Sequence, residues 1–379
     1  MAWPKPGRIT RMAPRSRSGL SKGTLASIAA DLGVSRTTVS NAYNRPDQLS
    51  AATRERIMAA AKARGYPGPD PTARSLRTKH AGSWGVVLTE HLSYAFEDMA
   101  SVDFLAGIAE STHGTDFSLT LIPAGPDTLA DATTTAATTA VTQAGVDGFI
   151  IYSVAANDPY LRAARARGLP VVVCDQPTDS GAPFVGIDDD AAIRPAARAV
   201  LEAGHRRIGV LAIRLFQQRV DGAVAAADIP GADMHVQRGR VSGVLDECQR
   251  AGLDPVQIPV ISRHINDANN ARSAAREMLD KHPELTAIAC TTDSMALAVL
   301  NEARERGISV PEQLSVTGFD GIAEARHAGL TTIIQPNKAK GAAAGRVLRG
   351  LIDEPDSTPA RRILGTSLYP GSTVAPPHN

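Results

Sequence analysis

Residues Thr24 to Tyr66 read TLASIAADLGVSRTTVSNAYNRPDQLSAATRERIMAAAKARGY, and this stretch decides the architecture of the chain's first part. Leu25, Ile28, Ala29 and Leu32 recur at i, i+3, i+4 and i+7 behind Thr24, an N-cap residue, and Gly33 supplies the stop. After a turn of about two residues, Ser35 caps a second helix expected to run to about Tyr43. The segment NRPDQ reads as a loop, and Ser50 opens a third helix of about fifteen residues, with Ile57 and Ala60/Ala61 facing inward and Gly65 ending it. Two short helices joined by a tight glycine-containing turn form the helix-turn-helix pattern, whose second helix enters the major groove of DNA. The bland alternative is a small helical bundle with a solvated basic face.

Charge supports the first reading. Residues 1–80 carry 15 Lys+Arg against 4 Asp+Glu, a net +11; the remaining 25 Lys+Arg and 35 Asp+Glu give −10, although the whole chain is nearly neutral at +1. A basic module is therefore joined to an acidic body. Residues 1–22 read as a disordered basic arm without the apolar run of a signal peptide, and Met12 is an alternative start. The three cysteines, Cys174, Cys248 and Cys290, form no CxxC pair, so neither a zinc site nor a disulfide framework is expected, and a reducing cytoplasm is the simplest compartment. No apolar run approaches the roughly 18 residues of a membrane span.

Beyond Ser83 the pattern changes to apolar runs such as WGVVLT, VDGFIIYS, LPVVVCD, RRIGVLA, AIACTT and LSVTGFD, alternating with helical stretches such as Ala191–Ala203 and Ser294–Arg306. Continuous Val/Ile/Leu runs suit parallel strands buried on both faces, so the body is expected to be α/β with two open sheets. At 379 residues the chain has ample length for two or three domains.

Within the second helix, Arg36 and Thr37 stand at the N-terminus and Asn41 one turn later, while Val39 packs inward. Arg matches guanine, Asn matches adenine, and a Thr methyl meets the thymine methyl. Thr24, Ser35, Ser50 and Thr53 are candidates for phosphate contacts, which position a module without specifying sequence. Thr38 and Arg74 complete the expected DNA-facing set.

The core GVSRTTVS, the Asn before the loop, TRERI in the third helix and the following ARSL resemble, in order, the head and hinge of the LacI/GalR family of bacterial transcription regulators. GHRRIGVLA, TDSMALAVLNEARERGISVPEQLSVTGFDG and LTTIIQP extend the resemblance to about Thr373. It implies a helix-turn-helix domain at 23–67, a hinge helix and linker at 68–80, and an effector-binding and dimerisation body at 81–379. The body would resemble periplasmic binding proteins, with two Rossmann-like subdomains at about 81–187 plus 336–362 and about 188–335 plus 363–379, crossing near Ile187, Gln335 and Ile363. Arg36, Thr37 and Asn41 would read bases. In the hinge, Asp70 caps a short helix with Pro71 at its first position, and the resemblance implies that this helix folds on DNA, where Leu76 wedges into the minor groove. Asn41 stands where many members carry Arg, so no operator sequence transfers.

Polar residues that end apolar runs are the ones a cleft between the subdomains would use. These are Thr89, Tyr152, Ser153, Asp175, Thr292, Asp293 and Asp320. The resemblance maps effector contacts onto Thr89, Phe96, Tyr152, Asp175, Arg240, Thr292, Asp320 and Gln335, with Arg240 in its Arg-x-x-Gly motif. Asp175 and Asp320 could instead cap loops, Phe96 could be core, and Asp293 reads better as an N-cap than as a contact. Asn266 stands where many members carry a stacking aromatic. No GxSxG, HExxH or Walker string is present, so no catalytic set, cofactor or metal is expected.

The expectation is a cytoplasmic homodimeric repressor that binds a pseudo-palindromic double-stranded operator under control of a sugar-like effector, with no membrane partner. A sugar-binding transport protein or a soluble sugar-processing enzyme are the competing classes.

Overall fold

In the computed structural model, residues 23–69, 80–88, 96–123, 134–355 and 361–378 are described, and the chain divides into two units, 1–80 and 81–379. The hinge residues Arg74 and Leu76, the arm 1–22 and Thr89 lie outside the described residues.

The first unit contains α1 (Leu25–Leu32), α2 (Arg36–Asn44) and α3 (Ala51–Ala63). Thr24 caps α1 in a reciprocal box with Ser27, whose amide it accepts at 3.1 Å. Gly33 ends α1 at φ 65°, and after the two-residue turn Gly33–Val34, Ser35 caps α2, as the pattern suggested. Ile28, Ala29, Val39, Ala42, Ile57 and Ala61 make the core. Short helices of eight or nine residues are marginal alone, so this shared apolar face holds them.

The second unit opens with a βα series: β1 (Ser83–Leu88), α4 (Met99–Thr112), β2 (Ser118–Pro123), α5 (Thr134–Gln143), β3 (Gly148–Tyr152), α6 (Pro159–Ala166), β4 (Val171–Cys174) and β5 (Phe184–Gly186). It continues through α7 (Asp189–Glu202), β6 (Ile208–Ile213), β7 (Gly222–Val224), α8 (His235–Arg250), β8 (Val260–Arg263), α9 (Ala268–Lys281), β9 (Ala287–Cys290), α10 (Asp293–Glu305), β10 (Ser315–Asp320), α11 (Ala323–His327) and β11 (Thr331–Ile334). The chain then enters α12 (Asn337–Asp353), β12 (Arg361–Ile363) and β13 (Ser367–Tyr369).

Two sheets result, in the orders β12-β5-β4-β3-β1-β2 and β13-β11-β10-β9-β6-β8-β7. All described pairings of the first are parallel; the second carries antiparallel edges at β7 and β13. The chain passes between sheets three times: after β5, after β11 and between β12 and β13. Ile363 still belongs to the first sheet, so the last passage follows it.

α12 returns to the first lobe and crosses α4 at glycines. A Cβ on Gly341 would lie 1.9 Å from the Phe104 carbonyl oxygen, and one on Gly107 1.9 Å from that of Lys338. Only glycine permits this approach, and Lys340, next to Gly341, is fully buried.

Candidate functional site

Both ends of the cleft are set by strand termini. Asp175 follows β4 with φ 63° and Asp320 ends β10 with φ 126°, left-handed backbone that L residues rarely adopt. Such backbone persists where surrounding contacts over-determine it, and here those contacts form one continuous polar chain. The ammonium of Lys340, fully buried on α12, donates to both oxygens of Asp175 at 3.0 and 2.8 Å and to the Gln335 side-chain carbonyl at 2.8 Å. Gln335, in the second passage between lobes, turns its amide nitrogen to Asp320 Oδ1 at 2.6 Å. Asp320 lies 3.6 Å from the Arg240 guanidinium, which donates to Asp189 at 2.8 Å and to the Thr291 carbonyl at 2.8 Å and stacks 3.7 Å over the Phe319 ring.

This chain runs behind a cavity of about 90 Å³ lined by residues of both lobes, including Asp98, Tyr152, Asp175, Arg240, Thr292, Asp320 and Gln335. Six of the eight expected effector contacts are therefore brought together. Phe96 is 58 % exposed and does not line the cavity, and Thr89 is outside the described residues. Tyr152 stacks on Phe104 with centroids 4.1 Å apart at 16°, giving the cavity an aromatic side. A second hollow of about 700 Å³ shares Asp98 and runs along α9 and α10 past Met99, Asn269 and Leu297.

Burial dominates the electrostatics of the site. Burial raises Asp320 well above the ordinary carboxylate range, offset by Arg240 and reinforced by Asp293. Burial likewise lifts Asp189 to about 6 against the pull of Arg240. For Arg240 burial works toward deprotonation, but Asp189 and Asp320 outweigh it and raise its pKa. Burial and the nearby Asp175 push the Tyr152 phenol well up, so it stays a neutral donor. Three carboxyl groups, one guanidinium fork and a phenol line the cavity, hydrogen-bonding groups that suit a ligand rich in hydroxyls. No histidine or cysteine lines the cavity, and among the described residues no group of three or more metal-ligating side chains exists.

Asp293 corrects the N-cap expectation. Thr292 caps α10, accepting the Met295 amide at 3.3 Å, while Asp293 is fully buried and accepts the Thr332 hydroxyl and the Ile322 amide at 2.5 and 2.9 Å. Burial raises it to about 6. It fastens α10 to the loop after β10 and to β11 itself. Asn266 is buried at the cavity and accepts from Ser294 Oγ at 3.1 Å.

Sequence reasoning missed Lys340 and Asp98. A signal existed for each: Lys340, Ala343, Ala344 and Val347 form a buried i, i+3, i+4, i+7 stripe with a lysine in it, and Asp98 precedes Ser101 as an N-cap, accepting its amide at 3.1 Å.

In the first unit Arg36 and Thr37 are exposed at the start of α2. Asn41 is half-buried and donates to Gln48 at 3.2 Å. The hydroxyls of Thr24, Ser35 and Ser50 already accept the amides of Ser27, Thr38 and Thr53. Thr38 and Thr53 bond their capping serines at 2.8 Å. These side chains hold the helix starts by occupying the amides of Ser27, Thr38 and Thr53.

Residues 24–68 match the model of bacterial regulatory proteins of the lacI family, and residues 197–374 match the periplasmic binding protein-like domain. The HTH-type transcriptional regulator IpsA of Corynebacterium glutamicum is 52 % identical over 93 % of this chain and 98 % of its own. A crystal structure of a LacI-family transcriptional regulator from Corynebacterium glutamicum is 48 % identical, with TM-score 0.73 over 94 % of this chain and 100 % of its own. The transcriptional regulator CelR in complex with cellobiose is 26 % identical, with TM-score 0.67 over 93 % and 99 %.

Proposed function

Because this chain belongs to the LacI family of bacterial transcription regulators, we infer that it is a repressor, released from or held on its operator by a neutral polyhydroxylated effector bound between the lobes. The observation that carries this reading is the polar chain Asp175–Lys340–Gln335–Asp320–Arg240–Asp189, which crosses the lobe passage at Gln335 and presents acceptors and one fork to the cavity. At about 90 Å³ the cavity is below the roughly 300–1,000 Å³ of ligand pockets, so an effector enters as the lobes part. Cellobiose in the related CelR complex supports a sugar or close analogue.

Arg36, Thr37 and Asn41 read base edges, and Thr24, Ser35, Thr38, Ser50, Thr53 and Arg74 position the head on phosphates. Leu76 enters the minor groove from a hinge helix that folds on DNA. One head reads too few bases for useful specificity, so two heads in a homodimer meet a pseudo-palindrome. The site of action is the cytoplasm, where that DNA lies. Among the described residues no helix is long and apolar enough to cross a membrane.

A thermal-shift screen across neutral sugars, polyols, sugar acids and nucleosides tests the effector reading. A ligand at 100 times its Kd adds about 2.7 kcal/mol of stability. Neutral polyols are expected among the hits, each then changing affinity for the chain's own upstream DNA; a hit that leaves DNA binding unchanged contradicts the reading.

A further inference from the structure

The helix that carries Arg240 and Gln237 into the cavity, α8, has no side-chain cap of its own: Met234 stands at the N-cap position. The missing acceptor comes from the opposite lobe. Gln176, two residues beyond β4 and 2 % exposed, accepts the Val236 amide at 2.9 Å through its side-chain carbonyl, an orientation fixed because a backbone N–H only donates, and its amide nitrogen donates to Ser153 at 3.2 Å. Beside it, the Thr178 amide and hydroxyl meet His235 Nδ1, the first residue of α8, at 3.4 and 3.1 Å. A backbone N–H only donates, so Nδ1 accepts and the imidazole is neutral with its proton on Nε2.

We propose that Gln176 and His235 form an interlobe clasp that couples assembly of the cavity to lobe closure, and that protonation of His235 opens it. Closing the lobes caps α8 and so positions Arg240 and Gln237; parting them leaves the Val236 amide without its acceptor. Protonated Nδ1 would carry a hydrogen toward the Thr178 N–H and place a cation at the positive end of α8.

The charged groups around the ring are Arg238 on α8, Asp233 just before it, Asp179 in the opposing loop and Arg361 of β12, which donates to the Thr178 carbonyl at 2.8 Å. Burial and then Arg238 lower the His235 pKa, while Asp179 and Asp233 oppose them. With a lower pKa closed than open, the clasp is complete above the open-state value of about 6.5 and weakens as pH falls through it.

Fluorophores on Q143C in the first lobe and V256C in the second, both exposed, report lobe separation in the full chain, since all three native cysteines are buried. Wild type is expected to pass from closed at pH 8 toward open at pH 5.5. His235→Asn, whose oxygen accepts where Nδ1 did and does not protonate, stays closed at both. Gln176→Ala shifts the open:closed ratio by roughly 2- to 30-fold toward open at pH 8, the range of a lost helix cap, with unchanged far-UV circular dichroism. A wild-type separation that ignores pH, or a His235→Asn profile that follows wild type, overturns the proposal. If Gln176→Ala misfolds, the two histidine profiles still decide.

Discussion

Replacing Lys340 with Met keeps the side chain's length and removes its charge, which isolates what that ammonium does. The amine is fully buried, and its three acceptors are Asp175 Oδ1, Asp175 Oδ2 and Gln335 Oε1. Asp175 is 6 % exposed, so the substitution strands a carboxylate away from water. Removing one partner of a buried pair costs about 3–5 kcal/mol. For a body of about 300 residues, unfolding entropy of about 2.1 cal/mol/K per residue gives about 0.6 kcal/mol/K, so Tm should fall by about 5–8 °C. Adding Asp175→Asn removes the stranded charge and should restore most of the loss. Calorimetry at pH 7.5 on wild type, both single variants and the double variant measures the coupling. A Lys340→Met variant within 1 °C of wild type, or a double variant no more stable than the single, refutes the reasoning.

Other consequences follow from the same geometry. Glu247 accepts from Arg198, Arg194 and Arg250, and the Arg198 bond leads the causes that depress its pKa to about 2, so its contribution is present above about 4.5 and is lost as pH falls toward 2. Glu247→Gln should cost roughly 1.5–3 kcal/mol at pH 7 and converge on wild type near pH 2; parallel melting curves across that range contradict this. Arg240→Lys keeps a charge but loses the fork between Asp189 and the Thr291 carbonyl. Effector affinity should fall about 10- to 100-fold, with operator affinity in the absence of effector retained, as read by calorimetry and anisotropy. Arg36→Ala should cost about 1–3 kcal/mol of operator binding and relax specificity at one base. Leu76→Ala should weaken operator binding and bending while leaving effector affinity intact; unchanged bending contradicts the wedge.

The parts legible in sequence share a physical reason. Helix starts carry their own caps, so Thr24, Ser35 and Ser50 announce α1, α2 and α3, and buried parallel strands are unbroken apolar runs. The three-residue edge strands β7, β12 and β13 are too short to carry a period and exist because neighbours pair with them. At the cleft, strand-end polar residues were readable because topology puts them there. Asp293 was misread because the acceptors of Thr292 and Asp293 are interchangeable in sequence, and only the approach of Thr332 and Ile322 assigns them. Gln176 caps a helix some sixty residues away in the opposite lobe, a relation no local pattern encodes.

Reciprocal linkage between cleft and DNA is the account's central claim, and anisotropy of a labelled fragment of the chain's own upstream region measures it. At physiological salt that fragment should bind at least about 10³-fold more tightly than random DNA. A saturating effector should change its affinity by about 5- to 150-fold, matched by the change that DNA makes to effector affinity. Equal binding to the two DNAs, or operator affinity indifferent to every ligand that stabilises the body, would contradict it.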